Sequence, residues 1–123
     1  METALRPVLG RISGSLTTVS DDYATIKDSV TDTEYFRVKG YWEKIFTFTV
    51  TLNPLTFKTY VAIEGADGLP DIWIEWGFWD AELPVGTDME WDWLSWDFFR
   101  VDVKPTVAGA HGKAVVNLRL STM

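Results

Sequence analysis

The chain has 123 residues, 18 acidic against 11 basic side chains, a net charge of −7, one His and no Cys. That length sets an expectation of one domain with a sizeable core, and the absence of Cys excludes disulfide frameworks, thiolate metal sites and cysteine nucleophiles while leaving the redox compartment open. With 46% hydrophobic and 24% charged residues the chain is of globular rather than disordered type.

Residues 1–33 are loosely patterned and are expected to form an N-terminal arm. Within and just after them, 13–20 and 35–39 have strand character, and 20–27 reads either as a short capped helix or as a polar connection. From about residue 41 a period of two takes over. Over 44–52 Phe46, Phe48, Val50 and Leu52 share one face, with Thr47, Thr49 and Thr51 opposite and Lys44 assigned to that side or to the start. Asn53-Pro54-Leu55 breaks the pattern, and 56–63 resumes it with Phe57, Val61 and Ile63 in phase, which predicts a hairpin. After the turn at 65–70, residues 71–79 form the most apolar strand candidate, with Ile72, Ile74, Trp76 and Phe78 as the expected core face. Pro84 and Gly86 mark a break, 89–93 reads as a short strand, and 96–103 as a longer one with Phe99, Val101 and Val103 in phase. After a turn at 109–112 the stretch 113–121 alternates cleanly, Ala114, Val116, Leu118 and Leu120 inward.

Short strands separated by Gly and Pro predict an all-β fold: a single antiparallel β-sandwich of immunoglobulin-like or jelly-roll type over residues 34–123, preceded by the arm at 1–33. No Cys…Trp…Cys spacing supports an antibody-type domain.

The excess negative charge is local. Residues 64–102 carry eleven acidic groups against Arg100 alone, whereas 1–63 balance seven against seven and 103–123 hold three basic groups. Phosphate backbones are repelled by such a segment, so no nucleic-acid partner is expected. Nothing approaches the roughly 20 apolar residues of a membrane span, and residues 1–7 lack the basic and apolar regions of a signal peptide. The expectation is a protein without membrane partner or Sec export.

One stretch is too apolar for a half-exposed sheet. Opposite the expected core face of 71–79 stand Trp73 and Trp79 around Glu75, and Trp91, Trp93 and Trp96 follow shortly. Burying four large aromatics contributes on the order of 15–25 kcal/mol gross, so something must cover them: the chain itself, a partner surface or a stacked ligand. Trp73, Trp79, Trp91, Trp93, Trp96 and Glu75 are therefore the candidate interface or ligand platform.

Catalytic and metal patterns are weak by comparison. Glu75 with Glu90, or Asp92 with Asp97, are the carboxylate pairs available for glycoside hydrolysis, but a chain this short has little material for a deep cleft. Asp88, Glu90 and Asp92 alternate without a calcium-loop pattern, His111 has no second His, and Ser95 has neither an elbow motif nor a base. No catalytic residue, metal or cofactor is expected.

The Cys-free chain, the loose start, the alternating strands at 44–52 and 113–121 and the Trp-rich stretch at 71–99 resemble, in general character, small all-β structural proteins of virions, in particular capsid decoration or cement proteins of tailed bacteriophages. The resemblance implies a non-enzymatic assembly protein of the virion. It implies a chain that associates with itself, often as a trimer, and clamps neighbouring capsid subunits. A carbohydrate-binding module built on Trp73, Trp79 and Glu75 is the alternative of a different class, and a tail or baseplate component is a third.

Overall fold

The computed structural model describes residues 9–76, 81–92 and 96–122. They form ten strands: β1 Leu9–Thr17, β2 Ala24–Thr25, β3 Phe36–Arg37, β4 Glu43–Thr51, β5 Leu55–Ala62, β6 Ile74–Glu75, β7 Ala81–Leu83, β8 Gly86–Asp92, β9 Phe98–Pro105 and β10 Lys113–Ser121. Every pairing is antiparallel. The first sheet runs β1-β10-β4-β8; the second runs β2-β9-β5-β6, with β3 also on β9 and β7 also on β5.

The fragments β2 and β3 are two halves of one strand along β9, separated by the loop at 26–35, and β6 and β7 are likewise two halves along β5. Counted this way the described residues form eight strands, and the chain crosses between sheets at almost every connection. This is the double Greek key of a jelly roll, which decides between the two sandwich types expected from the sequence.

Alternation builds the core. Phe46, Phe48 and Val50 of β4 lie opposite Leu118, Val116 and Ala114 of β10, and all six are buried. They face Phe57 and Val61 of β5 and Phe99, Val101 and Val103 of β9, with Ile26, Phe36 and Val38 closing one end. Between the layers Phe46 stacks on Phe99 at 4.2 Å between centroids, and Trp76 meets both rings edge-on at 5.8 and 6.2 Å. Such offset and T-shaped pairs add to plain area burial because the ring quadrupoles are complementary.

Several sequence expectations are corrected here. The start at 1–33 contributes a full nine-residue strand from Leu9, paired along its whole length with β10, and 20–27, read as a short capped helix or a polar connection, contains β2. Lys44 falls in phase with Phe46 and is buried, because it is the first inward position of β4. Leu52 leaves the core, closing the β4–β5 turn at a φ of 77° with an exposed side chain. The strand expected over 71–79 is described only at Ile74–Glu75, and Ile72 and Ile74 are 70% and 50% exposed instead of buried. Of that expected core face, Trp76 does pack on the core, and Phe78 lies outside the described residues.

β1 closes the sheet only because residue 14 lacks a side chain. A Cβ at Gly14 would run into the Lys27 carbonyl oxygen and lie 3.0 Å from the Phe36 ring. Gly14→Ala is accordingly expected to destabilise the fold by about 1–3 kcal/mol, and Phe99→Ala by about 3–5 kcal/mol through the cavity it leaves. Urea denaturation followed by tryptophan fluorescence measures both.

Candidate functional site

Clamping Phe99, Val101 and Val103 inward turns the alternate residues of β9 outward, and the β5 register sets their neighbours: Phe98 beside Ala62, Arg100 beside Tyr60, Asp102 beside Lys58 and Lys104 beside Thr56. The result is a face of alternating cations and aromatic rings. Arg100 lies over Tyr60 at 4.4 Å and over Trp73 at 5.6 Å, Arg37 over Phe98 at 5.5 Å, and Lys58 and Lys104 over Tyr23 at 5.6 and 4.7 Å.

Most of these cations also have a carboxylate. Arg100 donates from Nη2 and Nε to the two oxygens of Asp102 at 2.7 and 3.1 Å, and the Thr25 hydroxyl donates to Asp102 at 2.7 Å. Burial is the largest single influence and would lower the Arg100 guanidinium, but the hydrogen bonds and charge of Asp102, joined by Tyr60 and Glu34, together outweigh it and hold the group above its ordinary value. Burial likewise pushes the Tyr60 hydroxyl up, with Lys58 opposing and Asp102 adding to the shift. Lys58 pairs with Glu75 at 3.3 Å. Glu64 takes both Lys39 and Arg37, and the Lys39 hydrogen bond holds its carboxyl below the usual range.

A cleft of about 460 Å³ opens on this face, bounded by Glu34, Tyr35, Leu69, Pro70, Trp73 and Arg100. Tyr35 meets Phe98 edge-on at 5.2 Å and Trp73 at 6.3 Å, so one wall is continuous aromatic surface. Beyond Trp73 the chain presents bare aliphatic surface. The β5–β6 register pairs Val61 with Ile74, and carried on past that pair it sets Ile63 beside Ile72, where the Asp71 N–H donates to the Ile63 carbonyl at 3.0 Å. Ile63, Ile72 and Ile74 are 57%, 70% and 50% exposed, and Leu69 is exposed close by.

The tryptophans singled out from the sequence do not share one surface among the described residues. Trp73 is half-buried at the cleft, with Glu75 on the same sheet held by Lys58. Trp96 packs against the core, its indole Nε1 buried without a hydrogen-bond partner. Trp91 sits in β8 at the Ile45 register, its side chain outside the description, and Trp79 and Trp93 lie outside the described residues. Ile72 and Ile74 were missed as surface residues because a strand pattern cannot show where the opposite sheet ends.

Glu75 and Glu90 also separate. Glu75 belongs to the second sheet and Glu90 to the first. Asp97 accepts the Glu64 N–H at 2.7 Å, a structural contact at the head of β9. Asp88 and Glu90 lie opposite Phe48 and Phe46, on the core-facing side of edge strand β8. Charges turned inward along an edge oppose its pairing with another sheet. His111 is held at Nδ1 by the Thr18 hydroxyl at 3.0 Å. Among the described residues no three His, Asp or Glu side chains are grouped to hold a metal ion, and no helix is long and apolar enough to cross a membrane.

No protein-family model matches the chain, and no curated protein does. Among solved structures it is similar to a chain of the Bacillus endospore appendages described as a novel family of disulfide-linked pili, at 14% identity and a TM-score of 0.47 over 95% of this chain and 89% of that one. It is also similar to a chain of infectious bursal disease virus, Gx strain, at 11% identity and a TM-score of 0.48 over 98% of this chain and 33% of that one.

Burial and the neighbouring Asp88 push the Glu90 carboxyl above its ordinary value. The fold therefore favours the protonated form, and the associated stability is complete below about pH 4.3, the unfolded value. It is lost as pH rises through the raised folded value. Glu90→Gln is expected to raise the melting temperature at pH 7, with the gain vanishing below about pH 4. Thermal melts across a pH series read this directly.

Proposed function

We propose that the chain is a non-enzymatic assembly protein that associates with further copies of itself through the aliphatic edge at Ile63, Ile72 and Ile74 and the adjoining Trp73. The observation that carries this reading is the exposure of these three isoleucines, where the other inward branched residues of the described strands are buried or partly buried. Covering an Ile fully contributes about 1.5–3 kcal/mol, so the three half-exposed side chains together favour association by roughly 3–6 kcal/mol gross. A jelly roll serves many unrelated functions, so this edge, and not the fold, supports the reading. The resemblance to capsid decoration proteins extends the proposal to a virion component with a cement role on a shell.

Light scattering behind size exclusion over a dilution series tests the proposal. The expected outcome is an oligomer that Ile72→Asp with Ile74→Asp converts to monomer while leaving the β circular-dichroism spectrum intact. A wild-type monomer at every concentration overturns it.

The second reading is a saccharide platform, favoured by the cleft in which Trp73 and Tyr35 offer ring faces and Arg100 and Glu34 offer a donor and an acceptor. Under this reading a matching soluble glycan changes the tryptophan fluorescence of the wild type, and Trp73→Ala lowers its affinity at least tenfold.

A further inference from the structure

The outer face of the first sheet differs in kind from the aromatic face. It is rich in hydroxyls and carries Arg11, Lys113 and Arg119, with Glu43 its one carboxylate in register, opposite Ser121 and diagonal to Arg119. Arg11 and Arg119 are directly opposite each other across β1 and β10. The Ser29 N–H donates to the Ser13 carbonyl, so the backbone of Ser13 points away from β10; the Trp42 N–H donates to the Ser121 carbonyl, so the backbone of Ser121 points away from β1. Arg11 and Arg119 have the same parity as these residues, and theirs is therefore a non-hydrogen-bonded pair, the kind in which facing side chains come closest.

Two like charges at such a position are unfavourable, and they stand in a chain with 18 carboxylates and 11 cations. Arg37 and Arg100 each have a carboxylate partner. Among the described residues none lies within ion-pairing distance of Arg11 or Arg119. The two arginines instead border a cleft of about 300 Å³ with Ser13, Thr47 and Asn117. Thr47 and Asn117 are cross-strand partners on β4 and β10, which brings a hydroxyl and an amide to the same opening.

We propose that this cleft binds an oxyanion. Guanidinium groups match phosphate and carboxylate oxygens two at a time, and an anion between them turns the repulsion of Arg11 and Arg119 into two charge-assisted contacts. The Thr47 hydroxyl and the Asn117 amide supply neutral donors. The inference is independent of the isoleucine edge, which lies on the other sheet. The oxyanion has two sources, a free inorganic anion or a carboxylate from the acidic 64–92 segment of a second copy.

The test is calorimetric titration of the full chain with inorganic phosphate, beside thermal melts in phosphate and in chloride at equal ionic strength. Wild type is expected to bind phosphate and to melt higher in it than in chloride. Arg119→Gln is expected to bind about ten- to a hundredfold more weakly, the loss of one charge-assisted contact. In chloride the variant melts at or above wild type, because a like-charge pair has been relieved, and this shows that it folds. Light scattering in the same buffers separates the sources. A mass lowered by phosphate in wild type, and by Arg119→Gln without phosphate, assigns the site to a carboxylate of a second copy. A mass unchanged by phosphate assigns it to a free anion. Equal phosphate-over-chloride shifts in wild type and Arg119→Gln, with no heat of binding in either, overturn the proposal, since that is the general effect of an excluded salt.

Discussion

The stack of Phe46 on Phe99 joins the two sheets, and Trp76 edge-on to both rings seals it. Each Phe belongs to a long central strand, β4 in one layer and β9 in the other, and each strand has partners on both sides. Fixing one inward residue in a period-two element fixes the direction of all the rest. Once Phe99 is inward, Phe98, Arg100, Asp102 and Lys104 must face out. Once Phe46 is inward, Thr47 must face out and Lys44 must be buried. The two outer surfaces are thus consequences of the aromatic contact between the layers.

The two outer faces resolve their charge in different ways. On the second sheet the cations lie over rings and most pair with carboxylates, as Arg100 does with Tyr60 and Asp102 and Lys58 with Tyr23 and Glu75. Such a face is electrostatically satisfied, and what it offers a partner is ring surface and the aliphatic edge beyond Trp73. The first sheet has the reverse character: few rings, many hydroxyls, and two guanidinium groups brought together by strand register. Its edge strand β8 turns Asp88 and Glu90 toward the interior side, away from that cationic face. The acidic excess of the middle of the sequence therefore does not neutralise Arg11 and Arg119.

The alternation at 44–52, 96–103 and 113–121 was legible because each strand has one face on a continuous core and one toward water. The all-β class and the sandwich follow from it. Ile72 and Ile74 were assigned inward by the same rule, and it failed there because alternation records which side of a strand is apolar and not whether a second layer covers it. The opening strand β1 was harder to read than β10, since its inward side holds Gly10 and Gly14 beside Ile12 and Leu16 and so lacks a continuous apolar period. Gly14 is small for a tertiary reason, the close approach of Lys27 and Phe36.

By itself, then, the sequence determined the class of fold, the inward residues of the central strands, the turns and the local concentration of acid, all of which are set by neighbours a few positions apart. Only the tertiary structure decided the jelly-roll strand order, the exposure of the isoleucine edge, the place of Arg100 between Tyr60 and Trp73, and the meeting of Arg11 with Arg119. Those features join residues as many as 108 positions apart in register, and no local period encodes which distant strand becomes a neighbour. Pairing is settled by the sum of contacts across the whole sandwich.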